Sequence, residues 1–152
     1  MVYPVATMET RSITQADYLE IVSVIDEWWG GPTTALAHPM FFHELGDYAL
    51  IVEEEGRLIG FLLGFVTDKA PRVGYVHLVG IHPDRRRKGV ARALYEEFAR
   101  RARLQGAVRL KAITTPGNQG SVEFHRANGY DVQLVDDYAG PNRARYVFTR
   151  DV

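Results

Sequence analysis

Cysteine is absent from the 152 residues of this chain. Its absence excludes disulfide scaffolds, zinc sites built on thiolates, iron–sulfur clusters and cysteine nucleophiles. It is also typical of proteins from a reducing compartment. Any group transfer by this chain must therefore proceed without a cysteinyl intermediate.

Long hydrophobic runs are absent as well. The longest, Leu58–Val66, has nine residues, whereas a membrane-spanning helix needs about 20. The segment Met1–Arg11 lacks the charged start and apolar stretch of a secretory signal. We therefore expect a cytoplasmic protein with no membrane partner.

The chain has no excess of either charge, since 18 Lys and Arg residues against 19 Asp and Glu give a formal net charge of −1. Nucleic-acid-binding proteins usually carry net positive charge, so we expect no nucleic-acid partner. The alternative is a nucleic-acid-binding module that uses Arg85–Arg87 with Arg100, Arg101 and Arg103, and it predicts steeply salt-dependent binding. The net charge does not reflect one local feature, the four consecutive basic residues Arg85–Lys88.

A chain of 17.2 kDa with 46% hydrophobic residues has the size and composition of one soluble domain, so residues 1–152 are interpreted as a single domain. Apolar periodicity and turn residues predict seven strands and four helices. The strands are predicted over 5–13, 48–53, 58–67, 74–81, 108–113, 130–134 and 144–149, and the helices over 15–29, 38–45, 90–105 and 118–127. Thr14 is the expected N-cap of the first helix. This order predicts a mixed α/β sheet.

The predicted strand at 74–81, the basic loop and the predicted helix at 90–105 together have the form of an anion site. The first amides of a helix lack intrahelical acceptors and lie at its positive dipole end, where a pyrophosphate satisfies both. Gly89 lets the backbone approach such a ligand, and Arg85–Lys88 with Arg92 raise the local potential. The loop has neither a Walker sequence nor a Gly-x-Gly-x-x-Gly fingerprint. The alternative interpretation is a solvated basic loop before an ordinary helix.

Two segments resemble the signatures of one protein family. Arg86–Ala91 resembles the Arg/Gln-x-x-Gly-x-Gly/Ala loop of the GNAT N-acetyltransferase superfamily, and Asn118–Tyr130 resembles its second signature, about thirty residues later. The chain is identified as a member of this family on both motifs. One departure concerns Phe124 and His125, where the family commonly has a Leu-Tyr pair whose tyrosine is the proposed general acid.

The resemblance implies an α+β fold with a mixed, mostly antiparallel sheet of six or seven strands, about four helices and a cofactor slot between splayed fourth and fifth strands. It implies acetyl-CoA as co-substrate and no metal. Loop amides would bind its pyrophosphate, and backbone groups of the preceding strand would pair with its pantetheine arm. The cofactor-binding residues implied are Val79, Ile81, Arg86, Arg87, Lys88, Gly89, Val90, Ala91, Arg92, Asn118 and Ser121.

Acetyl transfer to an amine requires a base for the ammonium, a donor to the developing oxyanion and help for the thiolate. We assign His77 as general base and His125 as general acid, because histidine titrates near ~6.5. The alternatives are that both are packed structural residues and that Tyr130 or Tyr138 replaces His125. A backbone amide near Val79 is the expected oxyanion donor. No histidine pair has metal-ligand spacing, which also argues against a metal.

The acceptor site is expected at Trp28 and Trp29, after the first predicted helix, where aromatic rings can hold an amine by cation–π contact. The alternative is that one or both are core residues. The predicted activity is transfer of acetyl from acetyl-CoA to a primary amine by direct attack in a ternary complex. The rival function is a non-catalytic acyl-CoA sensor of the same fold. Small-molecule and peptide acceptors both fit, and a homodimer is left open.

Overall fold

The computed structural model describes residues 8–31 and 33–152. In this part the chain forms seven strands and four α-helices. The strands are β1 Met8–Ser12, β2 Leu50–Glu54, β3 Arg57–Val66, β4 Val73–Ile81, β5 Arg109–Thr114, β6 Asp131–Val135 and β7 Arg145–Asp151. The helices are α1 Gln15–Trp29, α2 Met40–His43, α3 Val90–Leu104 and α4 Gln119–Ala127. The start predicted for the first strand, at residues 5–7, lies outside the described residues.

Local signals set the ends of α1 at the predicted positions. Thr14 and Asp17 form a capping box, in which the Asp17 amide donates to Thr14 Oγ1 at 3.3 Å and the Thr14 amide donates to Asp17 Oδ2 at 2.7 Å. The helix ends at Gly30, which takes the left-handed conformation at φ 73°. The buried face of α1 includes Ile21 and Ile25.

The sheet has the strand order β1-β2-β3-β4-β5-β7-β6, and its neighbours are antiparallel except β4 and β5. The parallel pairing covers only three positions, from Val73 opposite Arg109 to Tyr75 opposite Lys111. Beyond Tyr75 and Lys111 the two strands no longer pair. The expected mixed sheet with splayed fourth and fifth strands is therefore confirmed.

Two apolar layers enclose the sheet. On one face α3 and α4 cover it, and Leu94 and Phe98 pack there with Leu62 and Leu110. On the other face α1 and α2 cover the half formed by β2, β3 and β4, through residues that include Phe41. Helices α3 and α4 thus cover the slot between β4 and β5 on one face of the sheet. On the opposite face, α1 and α2 cover the β4 side of the slot.

Glycines in the strands let α3 lie directly on the sheet. A Cβ atom on Gly60 would lie 2.7 Å from Val90 Cγ1, at the beginning of α3. One on Gly74 would lie 2.9 Å from the Ala102 Cβ, near the end of that helix. The absence of side chains at Gly60 and Gly74 therefore allows α3 to pack close to the strands. This close packing also sets the position of the loop that precedes α3.

No helix in the described part of the chain is long and apolar enough to cross a membrane.

Candidate active site

A β-bulge in β4 lies beside the slot. In the pairing of β3 with β4, Leu63 faces Leu78 and the next residue, Gly64, faces Val76, so His77 is the extra residue. The extra residue of a β-bulge forms no ladder hydrogen bonds. Because the strand bends there, its side chain points in a different direction from the one that regular alternation would give. Val76 packs in the α3 layer and Leu78 in the opposite layer, and the His77 ring stacks on Phe41 of α2 at 4.3 Å. The bulge therefore directs His77 to the face that α3 does not cover.

A hydrogen bond determines the tautomer of His77. Its Nε2 lies 2.8 Å from the Leu36 carbonyl oxygen. Since a carbonyl only accepts, Nε2 carries the proton, and in the neutral ring Nδ1 is the basic nitrogen. Among residues 8–31 and 33–152 we find no hydrogen-bond partner for Nδ1. This arrangement is chemically suited to accept a proton at Nδ1.

The loop before α3 presents backbone amides without a side-chain cap. Gly89 is the N-cap at φ 82°, and no side chain hydrogen-bonds to the first amides of the helix. The first intrahelical bond runs from the Ala93 amide to the Gly89 carbonyl. Arg87 also has a positive φ, 62°, which favours glycine over side-chain-bearing residues. The loop therefore has the open amides and positive dipole end that bind anions.

The basic residues of the loop have different contacts. Arg85 is ion-paired with Glu54 at 3.0 Å. The guanidinium of Arg86 donates to the Trp28 carbonyl at the end of α1. Arg87 lines the cavity beside the loop together with Arg85 and Arg86, whereas Lys88 is not among its lining residues. Three of the four basic residues thus line the cavity, and two of these three, Arg85 and Arg86, are also bound to other parts of the protein.

One cavity of about 660 Å³ connects these features, which is the size of a small-molecule site. It extends from the end of α1 along the bulged part of β4, the loop and the first turn of α3 to the end of β5 and the start of α4. The structure brings together in its lining all but one of the predicted site residues, namely Trp28, Trp29, His77, Val79, Ile81, Arg86, Arg87, Gly89, Val90, Ala91, Arg92, Asn118, Ser121 and His125.

His125 has a different environment from the one expected of a general acid. It is 4% exposed, stacks on Phe148 at 3.8 Å, and has both ring nitrogens in hydrogen bonds. Nδ1 donates to the Ser121 carbonyl at 2.7 Å, and Nε2 accepts from the Tyr95 hydroxyl at 2.8 Å. Burial lowers the pKa of His125 to about 4, against a smaller opposing effect of the Ser121 carbonyl. A neutral ring whose one proton is already donated is poorly suited to protonate a thiolate, so the geometry favours a structural role.

Tyr95 is a site residue that sequence reasoning missed. It lies on α3, is buried, and lines the cavity. Burial raises the pKa of its hydroxyl above the ordinary value, so the phenol stays protonated. Tyr95 lies four residues after Ala91, so the two residues share one face of α3. This i, i+4 spacing from the loop motif is the sequence feature that could have predicted Tyr95 as a site residue.

Asn118 and Thr114 join the end of β5 to α4. Asn118 Oδ1 accepts from the Ser121 amide at 3.2 Å, and its Nδ2 donates to Thr114 Oγ1 at 3.1 Å. Asn118 is therefore the N-cap of α4.

The two tryptophans differ in burial. Trp28 is 7% exposed and stacks on Phe61, so it belongs to the core as well as to the cavity wall. Trp29 is 41% exposed at the rim. Trp29 is thus the tryptophan that is accessible to a ligand.

No group of three or more His, Asp or Glu side chains suited to a metal ion occurs within residues 8–31 and 33–152.

Several proteins that this chain resembles in sequence are named as acetyltransferases. The chain is 30% identical over 103 residues to the L-2,4-diaminobutyric acid acetyltransferase of Halomonas elongata, covering 68% of this chain and 50% of that protein. The chain therefore spans about half the length of the curated relatives it matches.

Solved structures agree in fold. The diaminobutyrate acetyltransferase of Paenibacillus lautus, in complex with L-2,4-diaminobutyric acid and coenzyme A, has a TM-score of 0.74 at 16% identity and covers 94% of this chain and 95% of its own. The ribosomal-protein-S18-alanine N-acetyltransferase of Escherichia coli has a TM-score of 0.75 at 14% identity, covering 96% and 94%. The model of the acetyltransferase (GNAT) family matches residues 11–130. On this match, the chain belongs to the GNAT acetyltransferase family.

Proposed function

We propose that this protein transfers the acetyl group of acetyl-CoA to a primary amine by direct attack in a ternary complex. The observation that carries the proposal is that one cavity is lined both by the residues with open amides at the start of α3 and by His77, on the bulge of β4. The names of its relatives, which acetylate a diamino acid or a protein alanine, support an amine acceptor.

The cofactor's pyrophosphate would bind the amides of Gly89, Val90 and Ala91. The guanidinium groups of Arg87 and Arg92 add charge-assisted hydrogen bonds, and the Arg92–Glu96 pair, 3.0 Å apart and exposed, opens at little cost. Arg86 acts indirectly, because its side chain holds the end of α1. Lys88, outside the cavity, contributes only to the positive potential.

The pantetheine arm would lie between β4 and β5. Here Val79 and Ile81 have no partner strand on the β5 side, so their free backbone groups can pair with the amide groups of the arm. Asn118 and Ser121 line the opposite wall at the start of α4.

His77 would activate the amine. A lysine-like ammonium has a pKa near ~10.4 and must lose a proton before it attacks. Nδ1 of His77 takes that proton, directly or through a water, while the Leu36 carbonyl holds the ring in place. A backbone amide near Val79, beside the bulge, would donate to the thioester oxygen as negative charge develops on it.

Tyr95 would donate a hydrogen bond to the departing sulfur by turning its single O–H away from His125 Nε2, which accepts it in this structure. It is the tyrosine among the described residues that lines the cavity. Tyr138 lies over Lys111 instead, and the buried Tyr130 does not line this cavity. His125 is then a positioning residue, since its Nε2 accepts from the Tyr95 hydroxyl.

Calorimetry with CoA tests the cofactor site. Micromolar-range binding is expected for the native chain and loss of binding for Gly89→Glu, which places a carboxylate among the amides. Gly56→Glu is the matched control, because Gly56 also has a positive φ, 76°, open space around it and a position in the β2–β3 turn. The control should keep CoA affinity despite equal backbone strain. Equal affinity of both variants would contradict the loop assignment.

An assay of CoA release with a range of amines tests the transfer. Release that depends on the amine supports the enzyme, and CoA binding without release supports the rival function, an acyl-CoA sensor.

A further inference from the structure

Lys111 lies where β4 and β5 separate. Tyr75 and Lys111 are the last paired positions of the two strands, so Lys111 stands at the base of the slot. Its neighbours Leu110 and Ala112 pack into the layer under α3. Because side chains alternate along a strand, Lys111 points to the opposite face, which is also the face of His77.

The ammonium of Lys111 lies over an aromatic ring and is not paired with a carboxylate in the described part of the chain. Its Nζ lies 5.2 Å from the centroid of the Tyr138 ring, in the loop between β6 and β7. Within residues 8–31 and 33–152 no carboxylate lies within 4 Å of it, as the ion pairs of the described part all involve arginine. The nearby Asp137 carboxylate accepts from the Asn142 amide at 2.7 Å. Lys111 is therefore a half-buried cation that forms no salt bridge among these residues.

The distance from Lys111 to the base matches the length of a small molecule. His77 lies two residues beyond Tyr75 along β4, and Lys111 is across from Tyr75 on β5. With a rise of about 3.3 Å per residue and about 4.8 Å between strands, the Cα atoms of His77 and Lys111 are roughly 8 Å apart. Lys111 is outside the lining of the 660 Å³ cavity, so an acceptor with its amine at His77 reaches Lys111 by extending over this distance along the sheet face that α3 does not cover.

We propose that the acceptor is an amine that also carries a carboxylate, of the amino-acid class, and that Lys111 binds this carboxylate. A cation at this place attracts a carboxylate and repels a second ammonium, so it selects against simple diamines and polyamines. The inference rests on the proposed function and specifies its substrate class.

Two pairs of amines that differ by one carboxylate test this selection. They are 2,4-diaminobutyrate with 1,3-diaminopropane, and lysine with cadaverine. Loss of one charge-assisted contact predicts a kcat/KM at least about 10-fold higher for the carboxylated member of whichever pair is turned over. Transfer to the diamines as readily as to the amino acids, or transfer to none of the four, overturns the inference.

Variants of Lys111 test the residue. Lys111→Met should raise the KM of the amino acid by about 10- to 100-fold, change its kcat less, and leave the diamine unaffected or improved. Lys111→Arg, which keeps the charge, should retain most of the preference, and Lys69→Met, in the turn between β3 and β4, is the control. An unchanged preference in Lys111→Met contradicts the assignment.

Measurements of CoA affinity distinguish a failure of the proposed function from a failure of the proposed role of Lys111. All Lys111 variants should bind CoA like the native chain. Native protein that binds no CoA overturns the proposed function and this inference with it, whereas CoA binding with equal turnover of both members of a pair overturns only the inference.

Discussion

The buried His125 makes the stability of the fold depend on pH. Its pKa is lowered from 6.5 to about 4, chiefly by burial, so the folded state disfavours the charged ring. Between pH 6.5 and 4 the unfolded chain then binds more protons than the folded one. The contribution of the neutral ring is therefore complete above pH 6.5 and is lost as the pH falls towards 4. At about 1.4 kcal/mol per pKa unit it amounts to about 3 kcal/mol.

Urea unfolding at several pH values between 4.5 and 7.5 measures this contribution. The free energy of unfolding of the native chain should fall with acidification more steeply than that of His125→Phe, which is less stable throughout but has no group to titrate. His43→Gln removes an exposed histidine on α2 and should keep the native dependence. Parallel pH dependences of the native chain and His125→Phe would refute a neutral buried ring at this position.

Two further substitutions probe the surroundings of the site. Gly60→Ala brings a methyl group within 2.7 Å of Val90 Cγ1, and it should cost about 1–3 kcal/mol of stability and weaken CoA binding by lifting the start of α3. Gly46→Ala meets nothing within 4 Å and should be neutral in denaturation and calorimetry, so equal effects would count against the packing argument. Tyr95→Phe should lower kcat at least about 10-fold with CoA affinity nearly unchanged, which steady-state kinetics and calorimetry measure; an unchanged kcat would remove Tyr95 from the mechanism.

The parts of the fold that depend on neighbouring residues were predictable from the sequence. The capping box at Thr14 and the left-handed Gly30 place the ends of α1 at the predicted residues. The loop before α3 was equally predictable from the sequence, because its glycine, its basic residues and the helix that follows are contiguous in the chain. The second helix was predicted over 38–45 and covers only Met40–His43, since 3₁₀ turns over Thr34–Leu36 and Gly46–Tyr48 take up the chain on either side.

The parts of the site that depend on distant residues were not predictable. The bulge at His77 arises from the register between β3 and β4, which no pattern within β4 reveals. Arg86 donates to a carbonyl 58 residues away, so its engagement with α1 required the folded chain. The burial of His125 likewise comes from Phe148 on β7, which α4 alone does not indicate.

Amine-dependent release of CoA from acetyl-CoA tests the central claim most directly. We expect the native chain to release CoA in step with formation of an acetylated amine. His77→Gln can still donate to the Leu36 carbonyl but cannot accept a proton as a base, and it should turn over about 10²- to 10⁴-fold more slowly. Native protein that binds acetyl-CoA and releases no CoA with any amine would contradict the claim that it is an N-acetyltransferase.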